Sequence, residues 1–187
     1  VYYYHAGPES DSYLPIVNGL LDTLLALKID KAIVHVALGS YRYKIEHDYD
    51  RALAEFGKAI EEDPNSIEAP LLRSEVYRRQ GKMDEALKDL QRVVDRSPNQ
   101  EWHLSALFDT YLSLRNSEQA LIYSDRLISL LPDKAVNYTT KAYAIAVLQG
   151  DLKKARGVLA AAQPLFPANK FADQYEELDM MEGNYTS

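Results

Sequence analysis

The stretch SEVYRRQGKMDEALKDLQRVVDRSPN, residues 74–99, decides the fold. Ala86, Leu87, Leu90, Val93 and Val94 recur at spacings of three and four, which places them on one face of a helix. Pro98 stops that helix, because proline cannot continue the hydrogen-bond ladder. Upstream, Val76 and Tyr77 belong to a preceding helix. The polar segment QGKMDEA (80–86) joins the two, with Gly81 where a helix commonly needs a left-handed terminal residue. The same punctuation continues in both directions. Pro64, Pro98, Pro132 and Pro167 are separated by 34, 34 and 35 residues, and so are Ala52, Ala86, Ala120 and Ala155. Each alanine precedes its proline by 12 residues. The chain has only eight prolines, so four of them in this register mark an internal repeat.

Between the markers the hydrophobic period stays helical. The second helix of each repeat carries Ala52, Phe56 and Ile60, then Ala86 and Leu90, then Ala120, Leu127 and Leu131, then Ala155, Leu159 and Ala162. A first helix precedes each, with Val36, Leu38 and Tyr43; Leu71, Val76 and Tyr77; Leu104, Leu107, Phe108 and Tyr111; and Tyr138, Ala142, Tyr143 and Ala146. The spacing predicts helix pairs at roughly 32–62, 67–96, 101–131 and 134–163, within nine to eleven helices and no sheet between 32 and 167. The alanines occupy the point where the two helices of a pair cross, and a larger side chain there forces them apart.

A helix–turn–helix of 34 residues with these markers resembles the tetratricopeptide repeat. The stretches carrying the resemblance are LGSYRYKIEHDYDRALAEFGKAIEEDPN (38–65) and residues 74–99. The resemblance implies an all-α, right-handed superhelical α-solenoid of four repeats, 32–65, 66–99, 100–133 and 134–167. Three departures stand out: an extra residue around Glu46–His47, Arg115 where the turn glycine is usual, and Pro70 and Thr139 where an aromatic is usual. With Ser66 as N-cap, Pro70 is the fourth helical residue, whose N–H has no partner in any case. Because one repeat cannot bury its own apolar face, both ends need covers. Residues 168–187 are expected to supply a capping helix with Phe171, Tyr175 and Leu178 on one face, followed by a tail. Residues 11–31, with Ser12 as cap and Leu20, Leu21, Leu24 and Leu25 facing inward, read as an amino-terminal cap or a degenerate repeat, and residues 1–10 as a tail.

The 187 residues contain 21 Lys and Arg against 28 Asp and Glu, a net charge of −7. An anion of this size opposes nucleic-acid or anionic-membrane binding, which draws on Lys and Arg against phosphates. The longest apolar stretch, Leu14 to Leu27, is interrupted by Asn18 and Asp22 and falls short of the roughly 20 apolar residues a membrane span needs. The absence of cysteine excludes disulfides, a thiol nucleophile and thiolate metal sites, and leaves cytoplasm and bacterial periplasm open, with the cytoplasm favoured. The start at Val1, with no basic segment ahead of the apolar one, fits a processed chain or a piece of a longer one. His5, His35, His47 and His103 do not lie at metal-ligand spacing. The eight glycines are scattered, so no phosphate loop is formed, and pairs such as Glu61–Glu62 and Glu176–Glu177 read as solvated charge. Asn137-Tyr-Thr and Asn184-Tyr-Thr match the glycosylation pattern by chance. No catalytic residue, metal or cofactor is expected.

What remains is surface. In tetratricopeptide-repeat proteins the first helices line a concave groove that takes a peptide or a partner helix. Counting around each first helix from its buried positions assigns to that groove Ile33, Val36, Ser40 and Tyr43; Leu71, Leu72, Glu75 and Arg78; Trp102, Ser105, Ala106 and Asp109; and Asn137, Lys141 and Ala144. The selected contacts are Tyr43, Leu71, Leu72, Glu75, Arg78, Trp102, Asp109, Asn137 and Lys141. Trp102, the only tryptophan, is expected beside Asn137 and Lys141. The Lys and Asn clamp with which some family members hold a chaperone's terminal carboxylate is absent: its positions carry Val36, Ser40, Leu72, Trp102 and Ala106. The resemblance therefore implies a non-enzymatic scaffold or adaptor with a protein or peptide partner. The alternative is a regulatory or recruiting module of a larger enzyme or assembly, and self-association into a homo-oligomer is a third reading.

Overall fold

The computed structural model describes residues 31–183, together with Pro15, Gly19, 22–24 and Ala26. The expected tail at 1–10, most of the helix at 11–31 and the Asn184-Tyr-Thr motif lie outside the described residues. Among the described residues there is no strand, and no helix is long and apolar enough to cross a membrane. The chain divides into two compact units, 1–93 and 94–187. It has the all-α helical-repeat fold.

The first unit contains α1 (Lys31–Lys44), α2 (Tyr49–Glu62), α3 (Glu68–Arg79) and most of α4 (Met83–Arg96). Asp48 starts α2 by accepting the Arg51 amide at 3.0 Å, and α2 ends as the Asp63 N–H closes on the Ala59 carbonyl, just ahead of Pro64. Ala52, Phe56 and Val76 form a buried centre, with Tyr43, Tyr49, Leu53 and Leu72 packed against it. Val34 and Leu38 form a second cluster that Leu24 covers. Asp89 is 4% exposed and accepts two 2.7 Å hydrogen bonds from Arg73, so the buried carboxylate is paired. That pairing raises the Arg73 pKa, against the opposing effect of its own burial. Pro70 is the third residue of α3, not the fourth, because Ile67 takes the N-cap position. Ser66 still accepts the Ala69 amide at 3.3 Å, so its hydroxyl caps the turn from one residue further back.

The second unit contains α5 (Glu101–Ser113), α6 (Ser117–Leu130), α7 (Ala135–Gln149), α8 (Leu152–Ala162), a short 3-10 turn at Gln163–Leu165 and α9 (Ala172–Glu182). Asn116 and Asp151 cap α6 and α8 through the amides of Gln119 and Lys154. Leu104, Leu107, Phe108, Ala120 and Leu127 are buried. Further along, Ala142, Ile145, Ala155, Leu159, Phe171 and Leu178 form one cluster.

Ala52, Ala86, Ala120 and Ala155 are all 0% exposed, as close helix crossings demand. The residues five positions before them, His47, Gly81, Arg115 and Gly150, all have positive φ, between 56° and 74°. The turn therefore keeps one left-handed residue in every pair, whether or not the sequence supplies glycine there. The Lys82 and Asn116 amides reach back five residues, to the carbonyls of Tyr77 and Tyr111 respectively. In the first pair the Asp48 amide reaches six residues back, to Arg42, and the Glu46 amide reaches five, to Tyr41. The extra residue read there is absorbed by a wider last turn.

Candidate partner-binding site

On the first unit, the selected residues divide between core and surface. Leu71 is 3% exposed and belongs to the core, which corrects its assignment to the groove: one side chain per turn of α3 has to fill the space between helices. Leu72 is half-buried against the centre formed by Ala52, Phe56 and Val76. Tyr43 packs on the same centre, with its ring 5.9 Å from that of Tyr49. Its hydroxyl accepts a 3.4 Å hydrogen bond from Arg79 Nε, tying α1 to α3. Glu75 and Arg78 are partly exposed, and Ile33, on α1, is 64% exposed.

On the second unit, Trp102 is 52% exposed, with its ring centroid 4.7 Å from that of His103. His103 itself is buried, and burial pushes its pKa below the ordinary value, partly opposed by a backbone hydrogen bond at Ser97. Asp109 is exposed about two turns along the same face of α5 as Trp102. The expected neighbours on α7 are placed differently. Asn137 is 6% exposed, and its amide nitrogen donates to the carbonyls of Leu127 and Leu131, both at 3.1 Å. It ties α7 to the end of α6 by giving a second donor to carbonyls that each already take one backbone N–H, from Leu131 and Lys134. Ala144 is 0% exposed. Lys141 pairs with Asp125 of α6 and lines an open, mostly apolar cleft of about 450 Å³ with Ile128, Tyr138 and Val158. A different cleft, of about 270 Å³ between α5 and α7, is lined by Asp109 and Asn137 but by neither Trp102 nor Lys141.

The exposed face of α7 carries Val136 (57% exposed), Thr140 and Tyr143 (43% exposed) instead of Asn137, Lys141 and Ala144. Tyr143, expected in the core from the sequence, is therefore on the surface. The signal is in the repeat itself: 34 residues on from Trp102, Ala106 and Asp109 lie Val136, Thr140 and Tyr143. A shift of one residue turns a helix by about 100°, enough to exchange a groove position for a core one. Among the described residues no group of three or more His, Asp or Glu side chains is gathered to hold a metal.

A family model described as the tetratricopeptide repeat matches residues 45–107. Sperm-associated antigen 1 of Mus musculus is 34% identical over 70 residues, which cover 37% of this chain and 8% of that protein. The Rattus norvegicus protein is 35% identical over 72 residues, 38% of this chain and again 8% of its own length. The chain thus spans a small part of the curated relatives it matches. Among solved structures, a tetratricopeptide repeat protein from Parabacteroides merdae superposes with a TM-score of 0.73 at 15% identity, covering 94% of this chain and 72% of that one. YrrB, described as a TPR protein with an unusual peptide-binding site, gives 0.65 at 18% identity, covering 88% of this chain and 89% of its own. The first TPR of Spaghetti (RPAP3), bound to the HSP90 peptide SRMEEVD, gives 0.57 at 23% identity, covering 64% of this chain and 94% of its own. At these identities the superpositions establish the likeness of fold.

Proposed function

We propose that the chain, whose residues 45–107 match the tetratricopeptide repeat, is a protein-interaction module of that family: a non-enzymatic scaffold that binds a peptide or partner helix on the exposed faces of its first helices. The observation that carries this reading is the second unit's surface: Trp102 on α5 and Val136 and Tyr143 on α7 are large apolar side chains left in solvent at the repeat's own spacing. Tryptophan and tyrosine are over-represented among residues that dominate binding energy. Glu75, Arg78 and Leu72 form the corresponding surface of the first unit. We take the repeats as 32–65, 66–99, 100–133 and 134–167, with 168–187 covering the last of them. Since the clamp positions carry Val36, Ser40, Leu72, Trp102 and Ala106, none of them cationic, the partner is held by its side chains and not by a terminal carboxylate.

A second reading, a recruiting or regulatory module within a larger protein, is favoured by the relatives, of which the matched region makes up 8%. An affinity pull-down from the source cell, followed by a binding titration of the retained protein, tests the first. Because Trp102 is the sole tryptophan, its emission should change on binding, and Trp102→Ala should weaken the affinity roughly tenfold or more. Unchanged emission with affinity within about twofold removes Trp102 from the site.

A further inference from the structure

We propose that the cleft between α5 and α7 receives a lysine or arginine side chain of a partner polypeptide. This rests on the scaffold reading above and adds the chemistry of what one subsite selects. The cleft, about 270 Å³, is several times the roughly 30 Å³ share of one water molecule, so it admits a side chain.

Its polar lining offers acceptors. Asn137 spends both amide hydrogens on the carbonyls of Leu127 and Leu131. Carbonyls can only accept, so this pair of bonds fixes which end of the amide is nitrogen and leaves Oδ1 as the remaining group. Oδ1 has no partner among the described residues, on a side chain that is 6% exposed and lines the cleft. With the amide hydrogens already spent, the further hydrogen bond this group can make at the cleft wall is one it accepts from a donor that enters the cleft. The hydroxyls in the wall do not supply one. Ser105 donates to the Glu101 carbonyl at 3.0 Å, Thr140 to the Val136 carbonyl at 2.7 Å, and Ser124 to the Leu121 carbonyl at 2.8 Å. Each hydroxyl proton is thus turned into its own helix, and the oxygen that remains can only accept.

Charge points the same way. Glu101 and Asp109, two turns apart on α5, place carboxylates along the cleft. The Lys134 ammonium meets Glu101 at 2.5 Å from outside the lining. Phe108 and Val136 supply apolar wall for an aliphatic stem or a guanidinium plane. A long-stemmed cation bearing three or five N–H donors matches an apolar wall that ends in acceptors. A neutral apolar side chain would leave Oδ1 without a donor, and an acidic one would also set charge against Asp109.

The test uses the full chain and four acetylated, amidated nine-residue alanine-based peptides, with Arg, Lys, Met or Glu at the centre, titrated at physiological salt. Backbone and side-chain amide resonances are followed by NMR. The Arg and Lys peptides should saturably shift the Asn137 side-chain amide and the Asp109 and Thr140 backbone amides, at least about fivefold more tightly than the Met peptide, with the Glu peptide weakest. Asp109→Asn should weaken the Arg peptide by at least about fivefold, whereas Glu118→Gln, on α6 and outside the cleft lining, should leave it within about twofold. A second variant, Thr140→Lys, places a cation of the protein's own in the cleft and should abolish the shifts at Asn137. Equal binding of Met and Arg peptides, or shifts confined to residues away from the cleft, overturns the basic-residue subsite. If such peptides still perturb Trp102 and Tyr143, the scaffold reading stands while the subsite falls. If no peptide shifts any resonance the subsite also falls, and the scaffold reading is then decided by the pull-down alone.

Discussion

Gly39 on α1 faces the ring of Phe56 on α2. A Cβ built on it would lie 2.6 Å and 2.7 Å from ring carbons of Phe56, well inside any real contact. Phe56 is 0% exposed at the centre of the first unit, so its ring has no free volume to move into. Gly39→Ala should therefore cost roughly 1–3 kcal/mol, the usual penalty of overpacking, despite alanine's better helix propensity. Denaturant unfolding checks this, and a variant as stable as the parent would mean that the two helices are further apart. Gly57, with open space around it, makes the control: Gly57→Ala should be neutral or slightly stabilising, because it only improves the helix. From the sequence, both residues are glycines on helices. The requirement for glycine at 39 alone arises from a contact with a residue 17 positions away, which no local pattern encodes. The four alanines are legible for the opposite reason, since the same contact recurs four times and so leaves a period.

At the scale of the element, the turn between paired helices is the unit of recurrence. His47 and Arg115, both at φ 56°, hold the left-handed conformation that Gly81 and Gly150 hold at 74° and 68°. A side chain in that region costs about 1–2 kcal/mol. Gly150→Ala should be destabilising by about that amount through backbone strain alone, since no atom lies within 4 Å of the added methyl. His47→Gly should move stability the other way by roughly 0.5–1 kcal/mol, the relieved strain being partly offset by the unfolded chain's greater freedom. Paired thermal melts check the opposite signs, and shifts of the same sign would show that the turn conformation is not what sets them. Helix existence, pairing and these turns are legible in the sequence because period, caps and prolines repeat. The face of α7 is not, because Asn137 and Lys141 look like surface residues by type alone. Asn137 is buried where it bonds to carbonyls at the end of α6, and Lys141 turns to Asp125, so polarity misleads where the 34-residue spacing finds Val136 and Tyr143.

For the whole molecule, the net charge of −7 and a cleft that offers acceptors favour a cationic partner segment, and electrostatic steering would speed its capture. Such a module has to stay folded on its own surface, and in a repeat protein each element is stabilised chiefly by its neighbours. The last apolar face of the second unit meets α9. Phe171 and Leu178 are buried there against Ala142, Ile145, Ala155 and Leu159, and Phe166 stands edge-on between Tyr138 and Phe171 at 5.7 and 5.5 Å. Arg156 holds the outer side of α9 through Asp179 and Glu182, a pairing that raises its pKa chiefly through the Asp179 hydrogen bond. These charges are largely solvated and contribute little, whereas the apolar contact should contribute most of the attachment. Leu178→Ala should accordingly cost roughly 2–5 kcal/mol, as for other buried leucines, and Arg156→Ala well under about 1 kcal/mol. Ending the chain at Pro167 removes the cover altogether, leaving Leu159 and Ile145 with solvent on one side. The truncated protein should melt at lower temperature and associate as concentration rises, which light scattering and thermal melts would register together. A truncation that remained monomeric and equally stable would mean that α9 does not cap the array, and that the face beneath it is covered in some other way.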